Sequence, residues 1–136
     1  MKSVVELQEN VHFKATVGSG AVIHMDGPPE HGGAGKGARP METLLTGMGG
    51  CAAFDVVYIL RKRRLTVTDC VAELEAERAE TDPKVFTKIH LHFKVSGEGL
   101  TDKAVGKAVE LSAEKYCSAS IMLGKTADIT HSFEIV

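Results

Sequence analysis

This 136-residue chain has no excess of charge of one sign, no apolar leader and no paired metal-binding motif, and each absence removes a class of function. Its 16 basic and 18 acidic residues are interspersed and give a formal net charge of −2. That balance leaves no broad electrostatic footprint for nucleic acid or an anionic membrane. Met1 to Asn10 lacks the continuous apolar core of a secretory signal and is too acidic for a transit peptide, which points to the cytoplasm. In that reducing compartment, three cysteines are core residues, metal ligands or redox-active thiols rather than a disulfide framework. No Cys-x-x-Cys or His-x3-His pairing occurs, so spacing argues against a metal. No internal repeat and no second domain is visible, so residues 1–136 read as one domain-sized unit.

What is present alternates between two periods. His12–Val17 and Ala21–Met25, separated by Gly18-Ser19-Gly20, predict a β-hairpin. Asp26 to Arg39, with Pro28, Pro29, Gly32, Gly33, Gly35 and Gly37, has the composition of a mobile surface loop that would serve as a lid. Lys36 is followed by Gly37 rather than Ser or Thr, which argues against a phosphate cradle. Pro40 suits the first position of a helix with Met41, Leu44, Leu45, Met48, Ala52, Phe54, Val56, Val57, Ile59 and Leu60 in its body. Arg61-Lys62-Arg63-Arg64 closes it, where basic side chains complement the carbonyl end and are expected to be solvated. The helix is apolar almost all round, yet Glu42, Asp55 and its glycines argue against a membrane span. So short a chain cannot enclose such a helix alone, and a second subunit is expected to cover part of it.

From Thr66 the period changes to two. Thr68, Cys70, Ala72, Leu74 and Ala76 oppose Glu73, Glu75 and Glu77, which predicts a strand with Cys70 in the core. After a turn at Asp82-Pro83, Val85, Ile89, Leu91, Phe93 and Val95 share one face against Lys88, His90, His92 and Lys94. His90 and His92 form either a solvated face or a two-histidine metal site without a third ligand, and the first is favoured. Thr101 is a candidate N-cap for a helix through Ala104, Val105, Ala108, Val109 and Leu111 toward Cys117. The last segment alternates Ala127, Ile129, His131, Phe133 and Ile135 with polar residues, a strand in which His131 is expected to be a hydrogen-bonded core histidine.

Two cysteines stand where helical patterns break: Cys51, after Gly47-Met48-Gly49-Gly50, and Cys117, after Glu114-Lys115-Tyr116. A thiol beside a helix start has its thiolate favoured, so redox chemistry is the first hypothesis. The glycines at 47, 49 and 50 are expected to bend the backbone so that the following turn offers free N–H groups to Cys51. Asp55 lies one helical turn after Cys51 on the same face. A carboxylate there opposes thiolate formation unless a positive neighbour pairs with it.

Three segments together resemble the OsmC/Ohr family (osmotically inducible protein C and organic hydroperoxide resistance protein), in particular its YhfA-like branch, over nearly the whole chain. They are Arg39-Pro40-Met41-Glu42-Thr43-Leu44-Leu45 leading to Gly49-Gly50-Cys51, then Ser112-Ala113-Glu114-Lys115-Tyr116-Cys117, and Asp128-Ile129-Thr130-His131-Ser132-Phe133-Glu134. The resemblance implies an α+β fold whose antiparallel sheets wrap around central helices in an intertwined homodimer, with active sites at the subunit boundary. It also implies a peroxidase acting on organic hydroperoxides, with Cys51 peroxidatic and Cys117 resolving. No bound cofactor is implied; an external dithiol reductant, lipoyl groups among the candidates, would reset the disulfide.

The chain departs from the family pattern in its supporting residues. No arginine precedes Arg39, Met41 follows Pro40 where a glutamate is usual, and Ser118 follows Cys117 in place of a common proline. Glu42 is displaced by one position, which turns a helical side chain by about 100°. Arg39 and Glu42 are therefore either a rearranged activating pair or, the favoured alternative, a charged first turn. Three functions stay open: a thiol peroxidase taking a small apolar hydroperoxide, a binding module for a small apolar ligand, and a thiol-based sulfur carrier.

Overall fold

The computed structural model describes all 136 residues, Met1–Val136, in the order β1 Ser3–Glu9, β2 His12–Val17, β3 Val22–Met25, α1 Pro40–Lys62, β4 Thr66–Arg78, β5 Phe86–Glu98, α2 Asp102–Leu111, α3 Ser118–Leu123 and β6 Asp128–Ile135. The chain forms two compact units, Met1–Leu45 and Thr46–Val136.

In the first unit the strands form an antiparallel sheet ordered β1-β2-β3, with Val5 opposite Ala15 and Ala15 opposite Ile23. The predicted hairpin is β2–β3. Its turn is closed by Gly20 N–H donating to Val17 O at 2.8 Å, and Gly20 sits at φ 87°, where a side chain would be strained. Strand β1 adds a third strand that the sequence pattern does not announce, since its residues are all exposed and show no buried alternation.

The glycine-rich loop is tied together at one side chain. Asp26, 3% exposed, gathers it by accepting hydrogen bonds from Gly27 N–H at 2.8 Å, Ala34 N–H at 3.0 Å and Lys36 N–H at 3.0 Å. Those donors, the Lys36 N–H foremost, hold the Asp26 carboxyl below the usual carboxylate range. One short side chain thus ties together backbone from both ends of the loop.

In the second unit the sheet runs β4-β5-β6. One face carries Leu74, Leu91, Phe93 and Phe133, brought level by the pairs Leu74 with Leu91 and Phe93 with Phe133. The other carries Glu73, Glu77, Lys88, His90, His92 and Lys94. There Lys94 pairs with Glu73 at 2.8 Å and Lys88 with Glu77 at 3.3 Å. Ile89, Leu91, Phe93 and Val95 are each at most 1% exposed, the buried alternation read from the sequence.

Three local corrections arise in this sheet. A β-bulge between Val67 and Asp69 shifts the register, so Val67 is buried, Thr68 is exposed and Cys70 is only half-buried. Val85 precedes the strand and is 41% exposed, while Phe86 takes the buried place. His131 stacks on Phe93, with ring centroids 6.5 Å apart, but its buried Nε2 has no hydrogen-bond partner. Burial, and secondarily His90, lowers its pKa.

The sheet is also not purely antiparallel: β5 and β6 pair in parallel. The reason is topological. A tight hairpin joins only antiparallel neighbours, whereas β5 reaches β6 through α2 and α3, a helical crossover that returns the chain in the same direction. Thr101 begins that crossover as read, its Oγ1 accepting from Ala104 N–H at 3.2 Å.

Helix α1 runs unbroken for 23 residues. Met48, Ala52, Val56 and Leu60 form its buried stripe at intervals of four. It is long and apolar enough by length and composition to cross a membrane, yet only 28% of its apolar window is buried within the chain. Phe54 and Tyr58 stand 67% and 51% exposed. Arg64, at φ 62°, ends the turn that follows the helix.

Candidate active site

The expected bend before Cys51 does not exist. Gly47, Gly49, Gly50 and Cys51 all lie inside α1, where each N–H is already committed to the carbonyl four residues earlier. No free backbone N–H of this turn and no helix start faces the sulfur. At Gly49 the missing side chain provides clearance: a Cβ there would lie 2.6 Å from Leu74 Cδ1 on β4. The glycine allows the helix to approach the sheet closely.

Cys117 reaches its position by a different device. After α2, residues Ser112–Tyr116 form a π-helical turn, closed by Cys117 N–H donating to Ser112 O at 2.9 Å. In a regular helix Ser112 would have Tyr116 beneath it; the widened turn puts Cys117 there instead. Tyr116 is accordingly 49% exposed and Cys117 fully buried. Cys117 then caps α3, its Sγ accepting from Ser120 N–H at 3.4 Å and from Ser120 Oγ–H at 3.1 Å.

The two sulfurs converge. Cys51 Sγ, Cys117 Sγ and a carboxylate oxygen of Asp55 all lie within 4.8 Å of one another. All three cysteines of the chain are free thiols. Cys51 and Asp55 share a helix face as their spacing of four requires. The buried Ser112 hydroxyl stands 3.3 Å from Ala52 O and 3.4 Å from Asp55 Oδ2, one hydrogen serving two acceptors.

Electrostatics here are set by burial, not by a cation. Asp55 makes no ion pair, so the positive partner expected for it is replaced by the Ser112 hydroxyl. Burial raises the Asp55 pKa, against the lowering effect of that hydroxyl. Burial likewise pushes the Cys117 thiol up; Ser120 pulls it part of the way back, and the neighbouring Cys51 sulfur raises it again. Half-buried Cys70 is raised by burial and by the Asp69 charge, and it stands outside the cluster.

Arg39 and Glu42 belong to the first unit. There Glu42 Oε2 accepts a hydrogen bond from Arg39 N–H at 2.9 Å, an N-terminal capping contact of the charged-first-turn kind. His90 and His92 bond to β6 side chains: His90 to Thr130 and Ser132 at 2.7 and 2.8 Å, His92 to Ser132 and Glu134 at 2.8 and 3.2 Å. Sequence reasoning missed Ser112 and Ser120. The second had a signal, since it stands three residues after Cys117, the spacing by which a capping side chain meets the third residue of a helix.

Residues 33–132 match the family model described as OsmC-like protein. The chain belongs to the OsmC-like family. It is 48% identical to Protein YhfA of Escherichia coli strain K12 over 136 residues, covering 100% of this chain and 98% of that one. Among solved structures, a hypothetical protein from Aquifex aeolicus VF5 superposes with a TM-score of 0.87 at 32% identity, covering 99% of this chain and 95% of the other. An organic hydroperoxide resistance protein OsmC from Legionella pneumophila superposes with a TM-score of 0.72 at 20% identity, covering 98% and 95%, a likeness of fold. Both catalytic candidates of this OsmC-like chain, Cys51 and Cys117, lie within the family match.

Proposed function

We propose that this OsmC-like protein is a cysteine-dependent peroxidase that reduces organic hydroperoxides. The observation that carries the reading is the convergence of the Cys51 and Cys117 sulfurs beside Asp55. Cys51, half-buried and on the outer side of the pair, is the attacking thiolate. It takes the terminal oxygen of the hydroperoxide, the O–O bond breaks, and the leaving alkoxide collects a proton to become an alcohol, leaving Cys51 as sulfenic acid. Cys117 then attacks the Cys51 sulfur; the S–S bond forms and water leaves with the thiol proton. An external dithiol, of the lipoyl type, exchanges with the disulfide and restores both thiols in the reducing cytoplasm.

The two thiols have different tasks, and their surroundings suit them. A Cys117 thiol held up by burial stays protonated at neutral pH and does not compete as the first nucleophile. Asp55, whose burial raises its affinity for a proton, is within reach of both sulfurs to accept and return one. Beside Asp55 a groove of about 540 Å³ has an apolar wall of Phe54, Tyr58, Ile59, Leu111 and Tyr116, with Lys62 and Arg63 also lining it, and that wall suits an apolar tail better than hydrogen peroxide. A second copy of the chain over exposed Phe54 and Tyr58 would complete a homodimer and close this groove.

One equivalent of cumene hydroperoxide added to the reduced protein, followed by peptide mass spectrometry, is expected to yield a Cys51–Cys117 disulfide. Sulfinic acid at Cys51 with Cys117 still free would overturn the resolving role, and unreacted thiols would overturn the peroxidase. The same groove favours one alternative, a binding module for a small apolar ligand, which would saturate with ligand while leaving both thiols reduced.

A further inference from the structure

Cys51 and Asp55 on α1 and Cys117 at the start of α3 present two sulfurs and one carboxylate oxygen within 4.8 Å of one another, although they form no sequence motif for a metal. Zinc bonds to thiolate sulfur at about 2.3 Å and to carboxylate oxygen at about 2.0–2.2 Å. Tetrahedral angles then place donors roughly 3.6–3.8 Å apart. Closing from separations of no more than 4.8 Å asks the side chains to move by about 1 Å at most, within reach of rotation about their own bonds. We propose that Cys51, Asp55 and Cys117 bind one borderline-soft divalent cation, with zinc the best fit, and that the bound ion withholds the dithiol from peroxide. The second half of the proposal rests on the peroxidase reading.

Three further features support the site. The donors are of the type zinc selects, thiolate with one carboxylate, and three protein ligands leave the fourth tetrahedral position to water or an exogenous thiol. Each of two ligands has an outer-shell partner that fixes its lone pairs: the Ser112 hydroxyl on Asp55 and the Ser120 hydroxyl and N–H on Cys117. A rigid frame holds them, Cys51 and Asp55 by one helix face and Cys117 by the π-helical turn. Two carboxylate-flanked thiols are hard to ionise together without a cation. A zinc ion supplies that charge, and binding releases the two thiol protons with no change of oxidation state.

The test uses the full chain, reduced and metal-free, titrated with cobalt(II) as a spectroscopic substitute and then with zinc. Expected are one cobalt per chain, a thiolate-to-metal charge-transfer band in the near ultraviolet, the visible bands of a tetrahedral ion, and displacement by zinc. Cys51→Ser and Cys117→Ser should each lose charge-transfer intensity, and these and Asp55→Asn should each weaken binding at least about 10-fold. Cys70→Ser should change nothing. A second readout needs no variant: stoichiometric zinc should slow iodoacetamide modification of Cys51 in the unaltered protein at least about 10-fold. Absence of the charge-transfer band, or binding that survives both cysteine substitutions and so belongs to surface histidines, would overturn the site. Neither readout uses peroxide turnover, so the site and the peroxidase reading fail separately. Hydroperoxide consumption by the metal-free protein that zinc leaves unslowed would overturn the protective role.

Discussion

The two helical segments that meet at the site, residues 46–62 and residues 102–123, hold their cysteines by opposite means. Cys51 sits in regular helix, where every nearby N–H is spent on the helix itself. Cys117 sits where helical order is interrupted, and the interruption supplies a free N–H and a hydroxyl from Ser120. Backbone donors and a helix start, the features expected to activate Cys51, are found at the other sulfur. Yet Cys117 is the fully buried one, and burial outweighs its donors. Hydrogen-bond donors near a thiol therefore do not by themselves identify the nucleophile; exposure has to be weighed with them.

Substituting the sulfurs breaks the comparison most directly. Cys51→Ser should reduce hydroperoxide turnover to background, a loss of several orders of magnitude, because no other group offers the attacking sulfur. Cys117→Ser should keep a single stoichiometric reaction but lose multiple turnover, with Cys51 passing to sulfinic acid under excess peroxide. Stopped-flow peroxide consumption with mass spectrometry of Cys51 distinguishes the two; equal loss in both variants would erase the difference between them.

The glycines before Cys51 provide the next test, of clearance against bend. Gly49→Val should destabilise by about 2 kcal/mol in urea denaturation, since the added groups meet Leu74. Gly50→Ala, where nothing lies within 4 Å of the new Cβ, should stabilise by about 0.5–1 kcal/mol as an ordinary helix-interior replacement. A destabilised Gly50→Ala would restore the bend.

The Asp55 carboxyl is raised above its usual value of 3.8, so its contribution to stability is full below that pH and is lost as pH rises through the raised value. Asp55→Asn keeps an acceptor for Ser112 and removes the titration. The variant's denaturation midpoint relative to the unaltered protein should therefore be higher at pH 7 than at pH 4. A relative midpoint that does not rise would place Asp55 in a solvated environment. The smallest effect is expected from Ser120→Ala, which removes the hydroxyl donor to Cys117 and should slow disulfide closure by about fivefold at most, measured by rapid quench.

The elements were largely readable, because Ile89, Leu91, Phe93 and Val95 alternate cleanly and Pro40 and Arg61-Lys62-Arg63-Arg64 mark the ends of α1. The bulge at Val67 and Asp69 was not readable, since an extra residue shifts the register without altering the local pattern. Nor was the Asp26 cradle, because a carboxylate collecting the adjacent Gly27 N–H together with those of Ala34 and Lys36, eight and ten residues on, leaves no periodic trace. At the site, Cys51, Asp55 and Cys117 were each picked out by residue type, while Ser112 and Ser120 entered only through contact.

The order of elements, the buried strand faces, the chemical type of the three site residues and the family all follow from the chain's own residues, because side-chain period and residue chemistry are local properties. Three things needed the fold. The parallel pairing of β5 with β6 depends on which way the crossover returns. The meeting of two sulfurs 66 positions apart depends on one extra residue in a π-helical turn, which replaces Tyr116 by Cys117 beneath Ser112. The assignment of free donors to Cys117 rather than Cys51 depends on where a helix stays regular and where it breaks, a matter settled by packing as with Gly49 against Leu74, not by glycine content.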